Sequence, residues 1–240
     1  MRSLIRDLLL LLGYLLHHNK RSKVIYYHDV NKKYTDMGTP LSVIESHIEM
    51  ARQSGFSIVD KISAEDRQIM ICFDDGWKGL YDNKMFFVNL GVFPTVFIAV
   101  DLIGTDGYMS ISQIKEMMDL GYHFESHAWS HTGLHLHTGK DLAHELSDSK
   151  EWLEKIFGKP FEAICFPQGN YTNEVIKESI KAGYKELYSS TNGAYNQLLK
   201  SDDLICRNLV QDVDKRQFKY IIMGDSPVVR NKRIKQHNFS

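Results

Sequence analysis

Cysteine is scarce and odd in number: Cys72, Cys165 and Cys206 are the only three in 240 residues. Each follows an isoleucine in an apolar stretch ("MICF", "AICF", "LICR"), which is the setting of a buried thiol. That excludes a disulfide framework and suits a reducing compartment such as the cytoplasm. Long hydrophobic runs are missing too. The most apolar stretch, Leu8 to Leu16, is far shorter than the roughly 20 residues a helix needs to cross a bilayer core. No small-residue cleavage site follows it, so the reading is neither a span nor a signal peptide. What remains over residues 1–22 is an amphipathic helix with Leu4, Ile5, Leu8, Leu12, Leu15 and Leu16 on one face and Arg2, Arg6, Lys20 and Arg21 beside it. It is suited either to peripheral contact with the inner membrane surface or to docking on the domain itself. Excess charge is the last thing lacking. A formal net charge of −1 leaves no global field for nucleic acid, although basic residues gather near both ends ("HHNKRSK", "RNKRIK").

What is present is enough for one sizeable core. With 43% hydrophobic and 25% charged residues the chain is far from the disordered regime, and 240 residues is short for two domains. From Lys23 onward, short β-rich runs alternate with helical stretches, and four helices end alike, in "QSGF", "NLGV", "DLGY" and "KAGY". Gly55, Gly91, Gly121 and Gly183 read as left-handed helix stops, each followed by the first residue of a strand. The strand candidates are "VIYYH", "FSIVD", "IMICFDD", "FPTVFIAV", "YHFESH", "EAICFP", "ELYSST" and "LICRNLV". Nearly all-apolar strands separated by helices of about a dozen residues imply a parallel sheet buried on both faces. The expected architecture is α/β, a distorted (β/α)7-8 barrel of the TIM type over residues 23–224, with the N-terminal helix before it and a basic tail, 225–240, after it.

Polar residues interrupt these runs mainly where a strand ends: His28, Asp74, Asp75, His127, Gln168 and Arg207. In an α/β barrel those ends converge on the C-terminal face, where active sites form. "SHAWSH" sets His127 and His131 four residues apart, and one aspartate of "CFDDG" completes a two-histidine, one-carboxylate set with open coordination positions. A second carboxylate beside the first is tolerated when a cation takes one and the other handles a proton. Alone, "DDG" is equally a helix N-cap and an HxxxH pair equally two surface histidines. Their combination on neighbouring β-α units points to a site.

"CFDDG", "SHAWSH" and "FPQGNY", in this order, resemble the motifs of the polysaccharide deacetylases of the NodB-homology type, carbohydrate esterase family 4, and the resemblance runs from Val24 to Met223. It implies that Asp74 is the catalytic base and that Asp75, His127 and His131 hold a divalent metal, usually zinc. It also implies an N-acetylated glycan as substrate, with the Gln168 backbone amide facing the oxyanion. Pro167, Gly169, Tyr171 and Trp129 are the expected substrate contacts; Trp77, Trp129 and Tyr171 offer rings to stack on a sugar, although barrel packing is the commoner role of such rings. Several positions depart from the pattern. Ala128 stands where a hydroxyl is usual, and Cys165 stands where an arginine orients the base; Arg207 is the expected replacement. No late Leu-x-x-His motif exists, but "VIYYHDV" resembles the Tyr-His motif of members with circularly permuted motifs, which makes His28 the expected general acid and Asp29 the residue that would orient its ring. His135, His137 and His237 receive no role. The expected activity is metal-dependent removal of N-acetyl groups from amino sugars. Two alternatives stay open at this stage: a sugar-binding protein on the same fold that no longer turns over, and a non-haem iron oxygenase with the same ligand triad, against which the buried β-α units argue.

Overall fold

The computed structural model describes residues 2–33, 35–195 and 204–240. Helix α1 (Arg2–Leu16) is followed by β1 (Lys23–Tyr27), a small pair β2 (Asp29–Asn31) and β3 (Gly38–Pro40), α2 (Leu41–Gln53), β4 (Ser57–Val59) and β5 (Gln68–Phe73). Two short helices, α3 (Lys78–Asp82) and α4 (Lys84–Asn89), lead to β6 (Thr95–Ile98), α5 (Ile111–Asp119) and β7 (His123–Ser126). Then come α6 (Gly139–Ala143), a wider turn over His144–Asp148, α7 (Ser149–Phe157), β8 (Ala163–Cys165), α8 (Asn173–Lys181) and β9 (Glu186–Tyr188). The last elements are β10 (Leu204–Ile205), β11 (Arg207–Leu209), α9 (Lys215–Met223) and α10 (Pro227–His237).

The main sheet is parallel throughout and runs β10-β9-β8-β7-β6-β5-β1-β11, with β4 on the lower half of β5. Only Cys206 separates β10 from β11, so one continuous segment pairs with β9 through its first half and with β1 through its second. The sheet thus curls into a nearly closed barrel, as expected. All eight strand candidates are strands, and the four glycines that stop helices have φ between 61° and 103°.

Alternation within each strand explains the continuous apolar runs. Ile25, Tyr27, Ile69, Ile71 and Phe73 point outward into the layer under the helices, while Val24, Tyr26, Met70, Cys72, Phe97, Cys165 and Tyr188 fill the barrel interior. Both faces are covered, so no polar face exists. Each such side chain contributes about 1.5–3 kcal/mol by leaving water. Cys72 and Cys165 lie in the interior, Cys206 lies under α8, and all three are buried and outside any disulfide.

Two terminal segments differ from expectation. Residues 225–240 are not a plain tail: Ser226 caps α10 by accepting from the Val229 amide at 3.4 Å, Pro227 occupies its first turn, and Ile234 packs into the second core cluster. With one buried-side apolar residue, its helical period is too weak to read from sequence. Helix α1 does dock on the domain, but through Leu10, Gly13 and Tyr14 rather than through its leucine stripe. Tyr14 stacks on Tyr220, Arg6 pairs with Asp212 at 3.0 Å, and the Gln217 amide donates to Asp7. No helix among the described residues is long and apolar enough to cross a membrane.

Candidate active site

The first motif leaves β5 through a sharp turn. Asp74 is tied to β1 by its amide, which donates to the Tyr27 carbonyl at 3.0 Å, and the next two residues, Asp75 (φ 71°) and Gly76 (φ 80°), are both left-handed. At Gly76 a Cβ would lie 2.9 Å from Ile98 Cγ2, so only glycine fits there without a shift. This turn sends the two adjacent carboxylates to different partners. Trp77 Nε1 donates to Asp75 Oδ2 at 3.0 Å, which fixes the carboxylate and leaves Oδ1 facing the histidines.

The second motif leaves β7 alongside it. The His127 amide donates to Ile98 at 2.8 Å, and its Nδ1 sits 2.6 Å from the Cys165 carbonyl, so that nitrogen carries the proton and Nε2 is left as a ligand. His127 Nε2 and His131 Nε2 lie 3.4 and 2.9 Å from Asp75 Oδ1. The hydroxyl missing at Ala128 is compensated from elsewhere. Ser126 Oγ accepts the Ala128 amide at 3.2 Å, and Glu145 Oε2 accepts those of Trp129 and Ser130 at 3.0 and 3.1 Å. Glu145 is buried, and the sequence reading missed it. The available signal was a carboxylate on the apolar side of a helix, in line with Leu142, Leu146 and Leu153, all buried.

The donor set fits a divalent cation. Asp75 Oδ1 is buried without a hydrogen-bond partner, an arrangement that costs stability unless something positive faces it. A tetrahedral ion with bonds of about 2.1 Å needs donors about 3.4 Å apart, and Asp75 Oδ1 lies 3.4 and 2.9 Å from the two imidazole nitrogens, all three atoms being within 4.8 Å of one another. Burial would raise the Asp75 carboxyl, but its contacts with His127 and His131 hold it well below the usual carboxylate range, so the oxygen is anionic. A second grouping, Asp74, His127 and Cys165, is also compact. It is the poorer site, because Arg207 occupies Asp74 and burial pushes the Cys165 thiol well up, keeping its proton.

Asp74 and Arg207 form a bidentate pair, Nη1 to Oδ1 at 2.6 Å and Nη2 to Oδ2 at 2.8 Å. Arg207 was expected at a strand end. Its backbone instead lies opposite Val24, about three residues or 10 Å below the mouth, and its side chain rises through the barrel interior over the Tyr26 ring at 4.1 Å. Burial works to raise the Asp74 carboxyl, yet Arg207 overrides it, with smaller help from His127 and His28, and holds it below the usual range.

His28 follows β1 on the same rim, half-buried, with Nδ1 2.6 Å from Gln211 Oε1. The orienting group is therefore Gln211, beyond β11, and not Asp29. Asp29 turns away to accept the amides of Val30, Gly79 and Leu80, capping the start of α3, a local role that a short acidic side chain fills wherever helical amides face it. Gln168, in the third motif, is exposed and left-handed (φ 59°). Of five non-glycine residues with positive φ among those described, four (Asp75, Ala128, His131 and Gln168) belong to these loops, the fifth being Arg67. Such backbone costs roughly 1–3 kcal/mol per residue and persists where surroundings impose it.

The expected sugar contacts fare less well. Tyr171 is buried against Phe166, with Pro167 and Gly169 also buried, so these offer backbone at most and no ring face. Aromatic area was more valuable in the second core than at the rim. Trp129 is half-buried between His144 and Trp152. Trp77, which stacks on Tyr108 at 4.3 Å, has its indole spent on Asp75. His137 contacts Thr132 and His135 stacks on Phe239, both outside the cation cluster.

A parallel barrel carrying a largely buried Asp-His-His cluster at the C-terminal ends of its strands defines the class, a (β/α) barrel with a candidate metal site. The polysaccharide deacetylase family model matches residues 61–187, and the chain belongs to that family, the NodB-type deacetylases of carbohydrate esterase family 4. It is 25% identical to YxkH of Bacillus subtilis (strain 168) over 182 residues, 71% of this chain and 65% of that protein, so it spans less than two thirds of this relative's length. Among solved structures, BC0361, a polysaccharide deacetylase from Bacillus cereus, is similar at a TM-score of 0.73 with 25% identity, covering 85% of this chain and 69% of that one. The Streptococcus pyogenes deacetylase PplD, in complex with acetate, shares the fold at a TM-score of 0.74 and 16% identity, over 84% and 98% of the two chains. The matched residues 61–187 contain all three motifs but neither His28 nor Arg207.

Proposed function

We propose that the protein is a metal-dependent hydrolase that removes N-acetyl groups from amino sugars of an oligo- or polysaccharide. The observation that carries this reading is the division of labour between adjacent carboxylates: Asp75 faces two imidazoles while Asp74 is clamped by Arg207. A divalent ion of the zinc type, held by Asp75, His127 and His131, would supply polarisation of the acetamide carbonyl and a lowered pKa for the attacking water.

The remaining steps belong to the chain. Asp74, kept ionised by Arg207, accepts the proton of water as its oxygen attacks the carbonyl carbon. The developing oxyanion is met by the Gln168 backbone amide, a donor that does not depend on the side chain. His28, with its other nitrogen held by Gln211, delivers a proton to the departing nitrogen as the C–N bond breaks, giving acetate and a free amine. The closed barrel allows this, because β1 lies between β11 and β5 and so brings first-strand, last-strand and motif residues to one rim.

The binding-only alternative rested on two absences, an arginine at the Cys165 position and a late histidine; the Asp74–Arg207 pair counts against the first, and His28 on the same rim is offered for the second. The test is acetate release from short N-acetylglucosamine oligomers by zinc-loaded protein, with His28→Ala and Asp75→Ala alongside. Sugar binding without acetate would establish the non-catalytic reading, and turnover with zinc under exclusion of oxygen would dispose of an oxygenase.

A further inference from the structure

Helix α1 uses only one of its two apolar faces. With Leu10, Gly13 and Tyr14 turned to the domain, Ile5, Leu8, Leu12, Leu15 and Leu16 face outward and are 41–71% exposed. A groove between α1 and α10 extends this stripe, lined by Ile5, Leu9, Val228, Val229, Lys232 and Arg233. Among the described residues nothing covers it. A contiguous apolar surface of this kind on a folded domain marks a docking site.

Charge identifies the occupant. Helices α1, α9 and α10 together carry nine Lys and Arg and a single acid, Asp7, in a chain whose formal net charge is −1. Arg6 and Arg230 are paired with Asp212 and Asp225, whereas Lys232, Arg233 and Lys235 have no acidic partner among the described residues. Of the flanking charges Lys20 and Arg21 that the sequence suggested, Lys20 is turned to the domain, its Nζ donating to the Ser54 carbonyl, and the Arg21 backbone forms a β-bridge with Asp66. The cationic rim is thus supplied by α10, not by the residues next to α1.

We infer that the outward stripe of α1, rimmed by the basic residues of α10, seats the protein on an anionic lipid bilayer. Leucines enter the interface while Lys232, Arg233 and Lys235 meet phosphate headgroups. A second copy would bring two basic faces together, and nucleic acid would leave the leucines without a partner. At 15 residues, or about 22 Å, α1 lies in the interface and cannot cross it. The N-terminal part of α1 is its end nearer the barrel mouth, because Arg6 binds Asp212 just beyond β11. This inference stands on surface geometry alone and is independent of the proposed chemistry.

Sedimentation of the full chain with vesicles of phosphatidylcholine alone, or with 30% phosphatidylglycerol as a suitable mixture (about one anionic lipid in three), tests it. Binding to anionic vesicles is expected to exceed binding to neutral ones by about tenfold or more and to fall with added salt. The double variant Leu8→Glu/Leu12→Glu and the pair Lys232→Glu/Arg233→Glu should each weaken it about tenfold or more while leaving the unfolding temperature and any acetate release from soluble oligomers unchanged. Failure to bind anionic vesicles overturns the inference, as does binding that both variants retain. A wild-type dimer that Leu8→Glu/Leu12→Glu dissolves would also overturn it, by giving the face to a second copy.

Discussion

Asp74 and Arg207 stand 133 positions apart in sequence and meet through two charge-assisted hydrogen bonds inside the barrel. Arg207 is fully buried, and Tyr26 and Phe97 line the path of its guanidinium. Removing one partner strands the other's charge in a low-dielectric interior. Arg207→Met is therefore expected to lose about 3–5 kcal/mol of stability, measured by urea unfolding, and to abolish turnover. Asp74→Asn/Arg207→Met should regain much of that stability without activity, since neither charge is then orphaned.

The two aspartates of the first motif should fail differently. Asp75→Ala is expected to lose zinc, read by calorimetric titration, because it removes the anionic ligand. Asp74→Asn should bind zinc and lose about 10²–10⁴-fold in kcat, the range of a lost proton acceptor. Equal zinc affinity in Asp75→Ala and wild type would refute the ligand set.

His28→Gln is expected to keep its zinc content and lose about 10²–10⁴-fold in kcat. Gln211→Ala, which frees Nδ1 of the imidazole, should show a smaller loss of the same kind. Full activity in His28→Gln would remove it from the reaction.

Glu145 acts on the candidate metal site only through backbone. Glu145→Leu leaves the Trp129 and Ser130 amides without their acceptor and loosens the loop carrying His127 and His131. Zinc affinity is expected to drop about 10–100-fold, as for other groups that hold a ligand in place. Stability should fall by about 1–3 kcal/mol, the cost of unsatisfied buried groups.

His47 supplies a pH test remote from the site. It is fully buried on α2, accepts the Tyr27 hydroxyl at Nδ1, donates from Nε2 to the Val213 carbonyl and stacks on Phe218, and burial lowers it to about 4. Its folded value lies below its unfolded value of about 6.5, so the unfolded chain binds the extra proton. The contribution is complete above pH ~6.5 and is lost as pH falls toward ~4, about 3 kcal/mol in all. Unfolding temperatures of His47→Gln should be lower at pH 7 and should decline less steeply over that interval than those of wild type.

Side-chain type and spacing by themselves determined the parallel barrel, its eight strands and the three buried cysteines, because apolar runs buried on both faces and glycine-stopped helices are local patterns. They also singled out Asp74, Asp75, His127 and His131, since the first pair follows β5 and the second follows β7 within five residues. Tertiary structure alone decided the rest. Gln211 rather than Asp29 holds His28, Glu145 braces the second-motif loop, and Arg207 reaches Asp74 from mid-strand, because barrel closure sets residues side by side that are distant in sequence. It also chose which face of α1 docks, since both faces are apolar and only Tyr14, Gly13 and Leu10 match the surface that α9 presents. That Tyr171 is core and 227–237 a helix follows from the same cause: packing partners supply the free energy that local sequence does not.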